Sequence, residues 1–78
     1  MAIVMETPLK RIREGLKVSR EKLVRRTQTV SLGTVRNAEY GRRVTVASSE
    51  EILSAINSLL VEAGQEPVTL KDLGLSLY

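Results

Sequence analysis

Cysteine, histidine, phenylalanine and tryptophan are all missing from this chain of 78 residues, and tyrosine occurs only twice. Without cysteine there are no disulfides, and nothing marks the redox compartment. A zinc site lacking both Cys and His would need an unusual ligand set. Most acid–base and nucleophilic constellations also lose their usual base. Ser, Thr and carboxylates remain, but none has a His, Cys or metal cluster to work with, so neither an enzyme, a cofactor, a metal nor a small-molecule substrate is expected. The shortage of aromatics leaves an aliphatic core of Leu, Ile, Val and Ala. No apolar run approaches the roughly 18 residues of a transmembrane helix. The run Ala2–Met5 is too short for the apolar core of a signal peptide, and no basic residue precedes it. The expectation is a soluble, cytoplasmic chain without a membrane partner.

A chain this short makes one small domain, 1–78, which buries only about 60% of its unfolded surface and gains stability if it dimerises. Its net charge of +3 is unevenly spread. From Leu9 to Arg43 there are eleven Lys and Arg against three Glu, a balance of +8, whereas Val44 to Tyr78 carries −4. A charge run is often no more than a solvated face. Here it is confined to one half of the sequence, which suits an electrostatic footprint for phosphate.

Met1–Glu6 reads as a short apolar arm, open between a disordered lead, a strand pairing with a second subunit, and cover for the core. Thr7-Pro8 then starts a helix, with Thr as N-cap and Pro at the first helical position. Leu9, Ile12 and Leu16 give it one apolar face, and Gly15 weakens its end. The stretch 19–40 holds two more helices around a tight polar turn. Ser19 caps the first, with Val18 and Leu23 as a hydrophobic staple; Ser31 caps the second, with Val30 and Val35 in the same roles. Leu23 and Val24 point inward from one, Val35 and Ala38 from the other. Gly41 stops the third helix in the left-handed conformation. Arg42, Arg43 and the run Val44–Val46 are expected to form a loop. Ser48 with Glu51 reads as a capping box opening a fourth helix, whose apolar stripe is Ile52, Leu53, Ile56, Leu59, Leu60 and Ala63. That stripe suits a central core helix, or one that lends part of its surface to a dimer. In the tail, 65–78, Thr69 and Asp72 begin a one-turn helix closed by Gly74. Leu70, Leu73, Leu75 and Leu77 suit cover for the bundle or pairing with another subunit.

Two capped helices about a short turn, in a basic half-chain, form a helix-turn-helix pattern. From Leu9 to about Leu60 the sequence resembles the lambda-repressor/Cro-like, or xenobiotic-response-element, family. The residues that carry the resemblance are Leu9, Ile12 and Arg13, then Ser19 and Leu23, then Val30, Ser31 and Val35, and finally Glu39-Tyr40-Gly41. Four features depart from the family pattern. Val24 replaces the usual Ala, Arg20 the usual Gln, and Ala38 a larger aliphatic residue. The turn is also one residue longer, the extra residue falling within Thr27–Thr29.

The resemblance implies an all-α bundle of four or five helices whose third helix enters the major groove of double-stranded DNA. By position, Leu32, Gly33, Thr34, Arg36 and Asn37 would face base edges. Arg36 suits guanine, Asn37 adenine, and Thr34 or Leu32 a thymine methyl. Gly33 would let the backbone come close. Ser19, Arg20, Arg42 and Arg43 would meet phosphates, with Lys17, Arg25 and Arg26 as further candidates. Arg13 and Glu39 would form an ion pair tying the first helix to the end of the third. A homodimeric, repressor-like transcription regulator is the implied function. An interaction module, such as an antitoxin or an adaptor with weak DNA binding, is the alternative.

Overall fold

A computed structural model describes residues 6–78; most of the N-terminal arm, and the three readings of it, lie outside them. The described chain is mostly helical. Its elements are α1 (Pro8–Gly15), α2 (Arg20–Arg25), α3 (Leu32–Glu39), β1 (Arg43–Val44), α4 (Val46–Glu62), α5 (Leu70–Leu73) and β2 (Ser76–Leu77). α1 packs on α3 and α5, α2 on α3 and α4, and α4 on α3 and α5. The core between them is aliphatic: Leu9, Leu23, Val35, Ala38, Ile52, Ile56 and Leu73 have no exposed surface.

Most helix starts follow from local chemistry. Ser19 Oγ accepts from the Lys22 amide, and Ser31 Oγ from the Thr34 amide. Thr69 and Asp72 form a reciprocal capping box on α5. Two starts differ from the expectation. Thr7 stands at the N-cap of α1, but its hydroxyl makes no capping bond there. It donates instead to the Ala38 carbonyl at 2.9 Å and the Glu39 carbonyl at 3.3 Å, at the far end of α3. In α4 the cap is Thr45, not Ser48, and Thr45 Oγ1 accepts from the Ser48 amide at 3.1 Å. The helix therefore begins a turn earlier, and Glu51 takes no part in a capping box. Ser49 and Ala55 join the buried face of α4, and Ala63 lies exposed at its end.

The all-α expectation is corrected by a small parallel sheet. Arg43 aligns with Ser76 and Val44 with Leu77, and the Tyr78 amide donates to the Val44 carbonyl at 3.1 Å. The β-branched run 44–46 is stiff at χ1 and suits extended chain, and the returning tail gives its backbone a partner. What was expected as a loop after Arg42 is thus β1, and the tail covers the bundle of its own chain. Asn57 secures the path of that tail: its side chain both accepts from the Val68 amide at 2.8 Å and donates to the Val68 carbonyl at 3.0 Å.

The end of α1 is unusual. Gly15 lies inside the helix, and Lys17 takes the left-handed turn beyond it, at φ 58°. The Val18 amide then reaches back to the Arg13 carbonyl and the Lys17 amide to the Glu14 carbonyl, the bonding of a Schellman motif. Left-handed backbone costs an L side chain about 1 kcal/mol. Gly74 occupies the same region at φ 64°, and an added Cβ there would lie 2.6 Å from Pro8 Cδ. Lys17→Gly is therefore expected to stabilise the chain by about 1 kcal/mol in urea melts, and Gly74→Ala to destabilise it by more than about 1 kcal/mol. A destabilising Lys17→Gly would show that the left-handed turn carries no strain.

Three surface carboxyls are held below their ordinary range. The Thr29 hydroxyl and the Thr29 and Gln28 amides lower Glu51, the Arg26 guanidinium lowers Glu62, and the Thr69 amide and hydroxyl lower Asp72. A folded-state pKa below the unfolded one adds stability above the ordinary values of 4.5 for Glu and 3.8 for Asp. That stability is lost as pH falls through the depressed values. Urea midpoints are expected to drop between about pH 5 and pH 2, and Asp72→Asn to flatten part of the drop.

Candidate nucleic-acid interface

α3 presents two unlike faces. Val35, Ala38 and Glu39 are buried, whereas Gly33 and Arg36 are exposed and Leu32, Thr34, Asn37 and Tyr40 are half-buried. The Thr34 hydroxyl turns back on Ser31 Oγ at 3.0 Å, so it is engaged at its own helix cap. Gly33 meets nothing: an added Cβ would find only Ser31 Oγ, at 3.8 Å. A glycine inside a helix costs about 1 kcal/mol relative to alanine, and neither packing nor backbone angle in this fold asks for it. Among the described residues no ion pair engages Arg36, Arg42 or Arg43, and all three are exposed.

The buried end of α3 is clamped from three directions. Glu39 has no exposed surface. Its carboxylate accepts from Arg13 Nε at 2.5 Å and Nη2 at 3.2 Å, and from Arg20 Nε at 2.8 Å. The expected partners Arg13 and Glu39 therefore meet, in a two-pronged geometry that suits a guanidinium. Arg13 also donates through Nη1 to the Val18 carbonyl at 2.7 Å, so it holds the end of its own helix as well. The Thr7 amide adds a bond to the Glu39 carbonyl at 2.8 Å. Glu39 thus ties α3 to the start of α1 through its carbonyl, and to the last turn of α1 and the start of α2 through its carboxylate.

Arg20 is the residue whose placement differs most from its expected role as a free phosphate ligand. Beyond Glu39 it donates to the Tyr40 hydroxyl at 3.3 Å, and its guanidinium lies 5.6 Å from the Tyr40 ring centre. The hydrogen bond to Glu39 raises its pKa further, fixing the charge in place. Lys10 stands 5.1 Å from the same ring centre and pairs with Glu6 at 2.9 Å. Arg26 is likewise engaged, gripping Glu62 with both terminal nitrogens and Ser58 at 2.9 Å. Lys17 and Arg25 are exposed, and Ser19 is exposed with its hydroxyl engaged at the α2 cap. An open cleft of about 380 Å³ runs between α1, α2 and α3, with Ser19, Arg20, Glu21, Leu32 and Arg36 on its walls.

The turn between α2 and α3 is held by a residue whose local sequence pointed elsewhere. Glu51, on α4, accepts from the Gln28 amide at 2.7 Å, the Thr29 amide at 2.8 Å and the Thr29 hydroxyl. Spacing from Ser48 suggested a capping box, and no local signal tied Glu51 to a turn twenty-two residues upstream. Tyr40 was missed as well. Its one sequence signal is that it is the sole aromatic of the basic half, between Arg36 and Arg42.

Among the described residues no group of His, Cys, Asp and Glu could hold a metal ion, and no helix is long and apolar enough to cross a membrane. The chemistry this surface can offer is ionic and hydrogen-bonding. Glu39→Ala is expected to cost about 3–5 kcal/mol, because it strands guanidiniums in a partly dry site, and circular-dichroism melts would read this directly. Glu62→Ala, which frees the exposed Arg26, should cost far less; equal losses would show that the Glu39 clamp is not special. No protein family, curated protein or solved structure matches this chain.

Proposed function

We propose that this chain is a sequence-specific DNA-binding regulator, repressor-like, built on a helix-turn-helix in which α2 braces α3 and α3 reads the major groove. The resemblance to the lambda-repressor/Cro-like family supports this reading. The observation that carries it is the exposed face of α3. Gly33 has room for a Cβ, Arg36 has no ion-pair or hydrogen-bond partner among the described residues, and Asn37 lies half-exposed beside them. Arg36 can take two acceptors of guanine and Asn37 the edge of adenine, each worth about 1–3 kcal/mol of discrimination. Gly33 lets the helix backbone approach a base pair or a phosphate.

Arg42 and Arg43 follow the helix, placed to hold phosphate and set register. Arg13 and Arg20 serve instead as positioning residues, acting through Glu39 on the direction of α3. With Arg20 and Arg26 engaged internally and Arg36 reading bases, Arg11, Lys17, Lys22, Arg25, Arg42 and Arg43 remain for phosphates. If all six act, the slope of log affinity against log salt is about −5. A homodimer would set two such helices in successive major grooves about 34 Å apart. The engagement of Arg20 and Arg26 also favours a second reading, a protein-interaction module of the antitoxin or adaptor kind whose basic face meets an acidic partner.

Selection from a random-sequence duplex library at two salt concentrations separates these readings. An enriched motif is expected, palindromic if the chain is dimeric. Arg36→Ala should relax one position of it at a cost of about 1–3 kcal/mol, whereas Arg42→Ala should weaken all sequences alike. Gly33→Ala should raise the stability of the free protein by up to about 1 kcal/mol while weakening DNA binding, a combination a merely structural glycine does not give. Salt-sensitive binding without enrichment would reduce the function to phosphate contact, and no binding at low salt would transfer it to a protein partner.

A further inference from the structure

Each backbone donor in the segment 27–29 is accounted for. The Thr27 amide bonds to the Val24 carbonyl at 2.9 Å, closing the end of α2. The next two amides, of Gln28 and Thr29, both converge on one oxygen of Glu51, and the Thr29 hydroxyl bonds to the other. Two successive amides turned toward one carboxylate form a small anion nest. Glu51 sits in the second turn of α4, whose buried face is locked into the core by Ile52, Ala55 and Ile56. The segment it grips leads through Val30 directly into the Ser31 cap of α3. This is also where the turn exceeds the common helix-turn-helix length by one residue.

We propose that Glu51 is a positioning residue for DNA recognition: from the rigid frame of α4 it fixes the lengthened turn, and so sets the angle at which α3 meets the major groove. The inference rests on the DNA-binding reading above. A turn with one extra residue has more conformations open to it, and three hydrogen bonds to one carboxylate select among them. Glu51 and the turn line a second open cleft, between the end of α2 and α4, whose other charged residues are Arg26, which is held by Glu62, and Glu50. Neither is hydrogen-bonded to the turn amides, so the carboxylate of Glu51 is the group to which those amides respond.

The latch and its effect on recognition are tested separately on the full chain. In an NMR pH titration the Gln28 and Thr29 amide signals should move together, with a midpoint below that of an ordinary glutamate, and the movement should vanish in Glu51→Gln. Amides that do not titrate, or that titrate unchanged in Glu51→Gln, overturn the latch without touching the DNA reading.

Binding is then measured on the duplex enriched by selection and on a random duplex. Glu51→Ala should reduce the ratio of the two affinities about tenfold, the scale of one lost base contact, with random-duplex affinity and its salt slope unchanged. Thr29→Val keeps both amide bonds and should keep most of the ratio. A Glu51→Ala ratio equal to that of the unaltered chain, or a parallel loss on both duplexes, overturns the positioning role. Failure of the unaltered chain to bind any duplex overturns the DNA reading, and the positioning role with it.

Discussion

One buried carboxylate governs how the basic half of this chain is put together. Glu39 lies at the C-terminal end of α3 with no exposed surface, between the guanidiniums of Arg13 and Arg20. Removing an ionised carboxylate from water is costly, and only close, well-directed donors offset that cost. Those donors come from two different helices, so the charge is satisfied only when α1, α2 and α3 stand in one arrangement. The apolar contacts of Leu9, Leu23 and Val35 hold these helices together but are tolerant of small rotations; the forked bonds of Arg13 are not. Position is set by burial and direction by charge.

The same constraint sorts the cations. Eleven Lys and Arg between Leu9 and Arg43 look alike in sequence, but the fold treats them differently. Lys10, Arg13, Arg20 and Arg26 are engaged by carboxylates of the chain itself. Arg36, Arg42 and Arg43 are exposed without an ion pair among the described residues, and they lie on or just after α3. A surface where both groups were free would bind polyanions in many orientations. Arg11, Lys17, Lys22 and Arg25, on or beside α1 and α2, are exposed and equally without an ion pair among the described residues, so the fold thins the outward charge without confining it to one helix.

Much of the helical layout was legible because its signals are local. Ser19, Ser31 and the pair Thr69/Asp72 cap helices within three residues of themselves, and such bonds depend little on what the rest of the chain does. Thr45 and Ser48 show where local reading fails. Both can cap, and what decides between them is the extended strand that ends at Val44, which depends on a partner more than thirty residues away. Glu51 and Arg20 were misplaced for the same reason: each is satisfied by groups 19 or more residues distant, which spacing does not reveal. Lys17 inverts a rule of thumb, since the nearby Gly15 stays helical and the lysine takes the left-handed turn. Arg13 with Glu39 was legible through family resemblance alone. The apolar spacing of α3 marked its buried side, Val35 and Ala38, and the resemblance supplied the residues of the other.

The pairing of β1 with β2 adds a constraint on the order of assembly. Arg43 and Ser76 are far apart in sequence, and closing so long a loop carries an entropy cost that two short strands cannot offset unaided. α4, the Asn57 bonds to Val68 and the cap of α5 shorten the effective loop, each through contacts no more than 11 residues apart in sequence. Loop-closure entropy therefore favours late formation and early loss of the strand pair. Because β1 begins just beyond α3, an early loss there releases Arg42 and Arg43 from their fixed bearing while the Glu39 clamp still stands. Local opening of the strand pair can therefore loosen the bearing of these two arginines well before the fold itself is lost.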